Sequence, residues 1–157
     1  MIYLMCGRIC SGKSTHSQGL RKEKKAVVLS VDEITLALFG QDAGEKHDDY
    51  VAAAEEYLYR KSLEIAENGI DVILDWGFWT KEERDYAREF YGSRNIPFEF
   101  HYIDITPDEW QKRIDKRNAD IALGVLQAYY VDDGLAKKFA EIFEKPDENE
   151  MKDFIIV

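Results

Sequence analysis

Residues Gly7 to Ser14 read Gly-Arg-Ile-Cys-Ser-Gly-Lys-Ser, and no other stretch constrains the fold so tightly. The pattern is G-x-x-x-x-G-K-[ST], a phosphate-binding loop. The two glycines let the backbone turn sharply, so that successive N–H groups point inward at a polyphosphate. Gly7, Arg8, Ile9, Cys10, Ser11, Gly12, Lys13, Ser14 and Thr15 together form the expected cradle. Lys13 reaches the β- and γ-phosphates, and the Ser14 hydroxyl coordinates Mg²⁺. The flanks agree. Ile2 to Cys6 is a short apolar run suited to a buried parallel strand. Lys13 to Lys22 suits a helix whose positive dipole end faces the phosphates.

Composition limits the rest. The chain has 157 residues, 45% of them hydrophobic and 13% aromatic, which suits one packed domain over 1–157. No apolar stretch has the 18 or more residues of a membrane span, and no basic region precedes the first apolar run. The expectation is a cytoplasmic protein with no membrane or secretory segment. Cys6 and Cys10 make no disulfide framework and no zinc site, and read as small packing residues. The 31 acidic residues against 21 basic ones give a net charge of −10. That balance opposes a nucleic-acid partner, which needs a basic surface.

Strand and helix signals alternate along the chain. Residues 26–31 read as a second strand, 71–76 as a third, 98–105 as a fourth and 154–157 as a fifth. Val51, Ala54, Leu58, Ser62 and Ile65 recur at helical spacing, so a helix spans about 48–67 and ends at Asn68-Gly69. Thr80 with Glu83, and Thr106 with Glu109, are capping-box patterns opening two more helices. A last helix covers about 132–144. Strands separated by helices imply parallel pairing with right-handed crossovers. Ligands then bind at the carboxyl ends of the strands.

Several residues at those ends carry chemistry. Asp32 follows strand 2, where a carboxylate can orient an acceptor hydroxyl and take its proton. It can equally cap the next helix. Asp75 ends the apolar run Val72-Ile73-Leu74, the Walker B arrangement that holds Mg²⁺. Its alternative is a strand-end Asp bonding the following loop. Arg113 and Arg117 share one helix face, as four-residue spacing requires, and their guanidinium forks suit the oxygens of a transferring phosphoryl group. Surface ion pairing with Asp108, Glu109 or Asp115 is the other reading. Trp76, Phe78 and Trp79 either form a platform for a flat acceptor or pack in the core. Arg84 is placed on the first turn of the next helix, facing the same cleft. His16, His47 and His101 show no partner pattern and read as structural.

Five segments in order carry a family resemblance: 7–15, Asp32, Asp-Trp-Gly-Phe-Trp (75–79) with Arg84, Arg-Ile-Asp-Lys-Arg-Asn (113–118), and Phe-Glu-Lys-Pro-Asp-Glu-Asn-Glu (143–150). The chain resembles, over nearly its full length, the small P-loop kinases often called AAA-domain ATP-binding proteins. It is similar to chloramphenicol phosphotransferase, polynucleotide kinase and the zeta-toxin kinases. The resemblance implies a three-layer α/β P-loop NTPase fold, a parallel sheet in the order 2-3-1-4-5, and a helical lid at about 107–131. It implies ATP with Mg²⁺ as donor, a base at Asp32 and lid arginines at Arg113 and Arg117. It also places 145–150 near the adenine. Ile9-Cys10-Ser11 departs from the commoner Pro-Gly-Ser type, and residues 119–131 contain no recognisable acceptor motif.

The expectation is therefore a kinase that moves the γ-phosphoryl of ATP to a hydroxyl of a small-molecule acceptor. Lys13, Asp32, Arg113 and Arg117 would be catalytic. Ser14 and Asp75 would hold Mg²⁺. Asp32, Trp76, Phe78 and Arg84 would meet the acceptor. A 5′-hydroxyl polynucleotide kinase and a non-catalytic ATP-binding switch are the alternatives. The sequence does not specify an oligomeric state.

Overall fold

The computed structural model describes all residues from Met1 to Val157. Strand β1 (Ile2–Cys6) lies at the centre, and all five of its residues are buried. Side chains alternate across a strand. Ile2, Leu4 and Cys6 accordingly join one core cluster, while Tyr3 and Met5 join a second on the opposite face. Burial on both faces is why this strand reads as a continuous apolar run.

Around it are α1 (Lys13–Lys24), β2 (Val27–Leu29), α2 (Val31–Phe39), α3 (His47–Glu67), β3 (Val72–Leu74), α4 (Lys81–Gly92), β4 (Phe98–Tyr102), α5 (Pro107–Ala122), α6 (Asp133–Ile142) and β5 (Phe154–Ile156). Short 3₁₀ turns occupy Gly44–Lys46 and Glu150–Asp153. The five strands pair in the order β2-β3-β1-β4-β5, and every pairing is parallel. This is the order the family resemblance implies.

The larger cluster fills the space between the sheet and helices α3 and α4. Tyr59, Ala87, Phe90 and Tyr91 meet Leu4, Leu74 and Phe100 there. Buried hydroxyls on these two helices satisfy each other, Ser62 Oγ and Tyr91 Oη lying 2.7 Å apart. On the other face, Leu20 of α1 packs with Tyr3, Met5, Ile73 and Ile103.

Local signals set the helix ends. At Thr80 the capping box is complete: its hydroxyl accepts from the Glu83 amide and the Glu83 carboxylate reaches back. At Thr106 only half of it forms. The hydroxyl accepts from the Glu109 amide at 3.4 Å, but the Glu109 carboxylate turns to Arg113 Nε at 3.1 Å. Strand β2 is shorter than its apolar run suggests. Ser30, in extended conformation, starts α2 at once, so Val31 is helical and buried.

Helix α5 is followed by an extended return, and the residues of that return are tied down. Asn118 binds Val131 through both its amide groups, at 2.6 and 3.0 Å. Gln41, just after α2, holds Ala128 and Tyr130 in the same two-sided way, at 2.6 and 3.1 Å. The Tyr129 hydroxyl donates to Thr35 Oγ1 at 2.8 Å, and its ring stands edge-on to His47. The return from α5 therefore bridges α2 and the start of α3. No helix is long and apolar enough to cross a membrane.

Candidate active site at the carboxyl edge of the sheet

The loop after β1 has the backbone its sequence demands. Gly7 has φ 151° and Gly12 φ 107°, conformations that disfavour a side chain. A Cβ on Gly7 would sit 2.9 Å from Ser11 Oγ and 3.0 Å from the Ile103 carbonyl oxygen. Cys10 also adopts a left-handed φ of 59°. Gly12 precedes α1 directly, so the first amides of that helix open onto the loop. Ser11 Oγ is buried without a hydrogen-bond partner. Lys13 Nζ donates to the carbonyls of Gly7 at 3.0 Å and Arg8 at 2.6 Å. Burial lowers its pKa, while the charges of Asp75 and Asp32 oppose that shift.

Those two carboxylates lie on the same edge. Asp75 follows β3 and is buried. Burial raises its pKa, and the Lys13 charge pulls it back down, helped by the Ser14 hydroxyl. Asp32 is exposed on the first turn of α2. It does not cap that helix. Ser30 is the cap, its hydroxyl accepting from the Glu33 amide. The Asp32 side chain has no hydrogen bond within the protein and is free for other work.

Helix α5 lies across the loop. Trp110 Nε1 donates to the Ile9 carbonyl at 2.6 Å. Arg113 Nη1 donates to the Ser11 carbonyl, and its guanidinium covers the Cα of Gly12 so closely that a Cβ there would lie 2.6 Å from Nη1. Arg117 Nη1 lies 3.6 Å from Cys10 Sγ, and its Nε donates to the Tyr129 carbonyl at 3.1 Å. Arg113 also pairs with Glu109, so the surface-pairing reading is realised beside the loop contact and does not replace it. Arg8 is flanked by two rings, its guanidinium carbon 5.4 Å from the centroid of Trp110 and 5.5 Å from that of Phe143. Beyond it lies a cavity of about 170 Å³ lined by Arg8, Tyr102, Asp104, Pro107 and Lys145 among others. Lys145 closes one wall by pairing with Asp104 at 3.0 Å.

Two residues expected to meet the acceptor do not face it. Arg84 is 1% exposed. Its Nε and Nη2 grip the Glu150 carboxylate at 2.8 and 3.0 Å, and Nη1 donates to the carbonyls of Phe78, Trp79 and Glu144. Every nitrogen is engaged, because a buried guanidinium requires it. Phe78 is fully buried, stacked on Trp76 and edge-on to Phe100. Trp76 remains partly exposed. Trp79 turns back over Gly77, where any Cβ would overlap its indole, and packs on Phe139. The aromatic cluster is thus partly core, with Phe78 buried and Trp76 and Trp79 both partly exposed. The histidines also differ from expectation. His16 Nε2 and His101 Nδ1 lie 2.8 Å apart across α1 and β4, a pair that no local pattern signals.

A phosphate loop on the central strand of a 2-3-1-4-5 parallel sheet, overlain by an arginine-bearing helix, defines a P-loop nucleotide-binding fold. The chain belongs to the AAA domain family AAA_33, whose family model matches residues 2–129. Solved structures agree. A sugar kinase of a Janibacter species is 18% identical, with 99% of this chain and 83% of that chain covered at a TM-score of 0.68. A gluconokinase of Sinorhizobium meliloti is 15% identical, with 99% and 80% covered at 0.63. Kti12 of Chaetomium thermophilum, solved in complex with ADP-AlF3, is 14% identical, with 100% and 88% covered at 0.75. Likeness at these identities speaks for the fold. No curated protein matches the sequence.

Proposed function

We propose that this chain is a kinase that transfers the γ-phosphoryl group of ATP to a hydroxyl of a small molecule. The observation that carries this reading is the placement of Arg113 and Arg117 directly over Ser11, Gly12 and Cys10 of the phosphate loop. A loop that only held nucleotide would not need two guanidinium forks there. Kinases use such forks to bind oxygens that gain charge as the phosphoryl group moves.

The residues have distinct tasks in this reading. Backbone amides from Gly7 to Thr15 hold the phosphates, and Lys13 leaves its carbonyl partners for the β/γ oxygens. The cavity beside Arg8 and Lys145 takes the nucleoside end. Ser14 and Asp75 are hard oxygen donors, and they suit Mg²⁺, which keeps most of its shell for water and phosphate. A Mg²⁺ ion held there would offset the negative charge of the phosphates. Asp32 orients the acceptor hydroxyl and receives its proton.

The partner class follows from charge and from kin. The net charge of −10 opposes a polyanionic acceptor, and the sugar kinase and gluconokinase share the fold. A second reading, an ATP-binding switch with no acceptor, has in its favour the full-length likeness to Kti12. Release of ADP from Mg-ATP, screened against alcohols, sugars, nucleosides and 5′-OH oligonucleotides, decides among them. Turnover that rises only with a small acceptor supports the proposal. Turnover indifferent to every acceptor supports the switch, and preferential labelling of oligonucleotides supports a polynucleotide kinase.

A further inference from the structure

We infer that Arg8 reads the base of the donor nucleotide with the edge of its guanidinium, and that the site takes a 6-oxopurine, so that GTP binds at least as tightly as ATP. The inference rests on the phosphate-loop reading above and widens its donor. Topology sets the direction of the nucleotide. Asp32 follows β2 and Asp75 follows β3, both on one side of β1. The cavity of about 170 Å³ lies on the other side. Tyr102, Asp104 and Pro107, at and after the end of β4, line it with Lys145, ahead of β5, and Arg8 of the loop is a further wall. A triphosphate whose γ end meets Asp32 and Asp75 therefore points its nucleoside at this cavity.

Arg8 is half-buried, and its carbonyl is the only part of it that hydrogen-bonds, accepting from Lys13 Nζ and the Ser11 amide. The guanidinium pairs with no carboxylate and donates to nothing in the protein, although such a group is all donor. Its two faces are taken, the Trp110 and Phe143 centroids lying 5.4 and 5.5 Å from its central carbon. Both rings are themselves held, Trp110 by its bond to the Ile9 carbonyl and Phe143 by burial against Tyr102. A guanidinium clamped in this way is oriented, and only its edge remains to meet a ligand.

The other polar side chains of the cavity decide which base edge fits. Asp104 is the one carboxylate in its wall, and its oxygens already accept from the Tyr102 hydroxyl, the Ile105 amide and Lys145 Nζ, each at 3.0 Å. Lys145 uses one N–H on Asp104, and the Arg8 guanidinium uses none. Free side-chain donors therefore outnumber free acceptors. Guanine and hypoxanthine present two adjacent acceptors, O6 and N7, which a guanidinium edge engages with two parallel bonds. Adenine presents N7 beside the N6 amine, and that amine sets donor against donor.

Calorimetric titration of the full chain with the Mg²⁺ complexes of GDP, IDP, 7-deaza-GDP and ADP tests this without turnover. GDP and IDP should bind at least as tightly as ADP, and 7-deaza-GDP, which lacks N7, should bind more weakly than GDP. Arg8→Ala should weaken GDP and IDP by roughly ten- to hundredfold, the worth of a bidentate base contact, and weaken ADP much less. Arg8→Lys should not restore GDP, since it keeps the charge and loses the fork. Melting temperatures show whether the variants fold, and if one does not, the order of affinities in the parent protein decides. Tighter binding of ADP than of GDP and IDP overturns the inference and leaves the kinase reading intact. So does an equal loss of all four nucleotides in Arg8→Ala, which would put the guanidinium on the phosphates. Nucleotide binding with no acceptor phosphorylated removes the kinase reading, and the same affinities still decide for Arg8. Binding of no nucleotide at all removes both.

Discussion

The Ser30 hydroxyl accepts the Glu33 amide at 3.4 Å, and this bond makes Ser30, not Asp32, the cap of α2. The cap and the proposed base are adjacent but separable. Ser30→Ala should lower stability by about 1 kcal/mol, the usual worth of an N-cap, and leave transfer per folded molecule unchanged. Asp32→Asn should keep the melting temperature and ATP affinity while reducing transfer by roughly 10²–10⁴, the range of a lost general base. Urea melts and initial rates on both variants check this. A destabilised Asp32→Asn protein with full transfer would return Asp32 to a structural role.

Lys13→Ala should abolish turnover and weaken ATP binding. The Lys13 ammonium is turned onto the loop carbonyls, whereas the Arg8 guanidinium lies between Trp110 and Phe143, and the backbone amides supply dipoles but no net charge. Near-normal turnover in this variant would be incompatible with a kinase using the loop as read here. Stability should fall little, since Nζ now bonds two carbonyls that water can also satisfy.

Arg117→Lys should be almost as damaging as Arg117→Ala. Lysine keeps the charge but loses the planar fork, and it loses the bond from Nε to the Tyr129 carbonyl that aims the side chain. Arg113→Ala should be equal or milder, because Trp110 still holds α5 on the loop through Ile9. Steady-state rates of the three variants test the pair. Parent-like activity in both alanine variants would move the transferring group away from α5.

The fold was legible because its signals are local. Ile2 to Cys6, the two glycines of the loop and the Thr80 capping box each specify their own backbone. The sheet order came through the family resemblance and appears in the structure, where α5 also lies on the phosphate loop. Lys13 beside Gly12 is a local signal, and its ammonium lies on the loop carbonyls of Gly7 and Arg8. The sequence misleads where a role depends on a distant partner. Arg84 looked like an acceptor ligand because nothing near it shows that Glu150, 66 residues on, will neutralise it. Phe78 sits among aromatics at a strand end, a composition shared by platforms and cores. Its left-handed φ of 46°, which turns the ring inward, leaves no mark in the sequence.

The Arg84–Glu150 pair supplies a stability prediction with a defined sign. Glu150 closes the turn before β5 by accepting the Asp147 amide, and it holds both Arg84 and Arg88. Burial alone would raise its pKa, but Arg84, the Asp147 amide and Arg88 together lower it from 4.5 to about 2. A folded-state pKa below the unfolded value means that the stabilisation is fully present above about pH 4.5 and disappears as pH falls toward about 2. The parent protein should therefore lose stability steeply across that window. Glu150→Gln should show a flatter acid profile and lower stability at neutral pH, because it leaves the Arg84 charge buried and unpaired. Arg84→Met should cost about 3–5 kcal/mol at neutral pH, the penalty for stranding one member of a buried pair. Denaturant melts between pH 2 and 7 measure all three. An acid profile for Glu150→Gln that overlays the parent's would show that other carboxylates, and not this pair, set the acid limit of the fold.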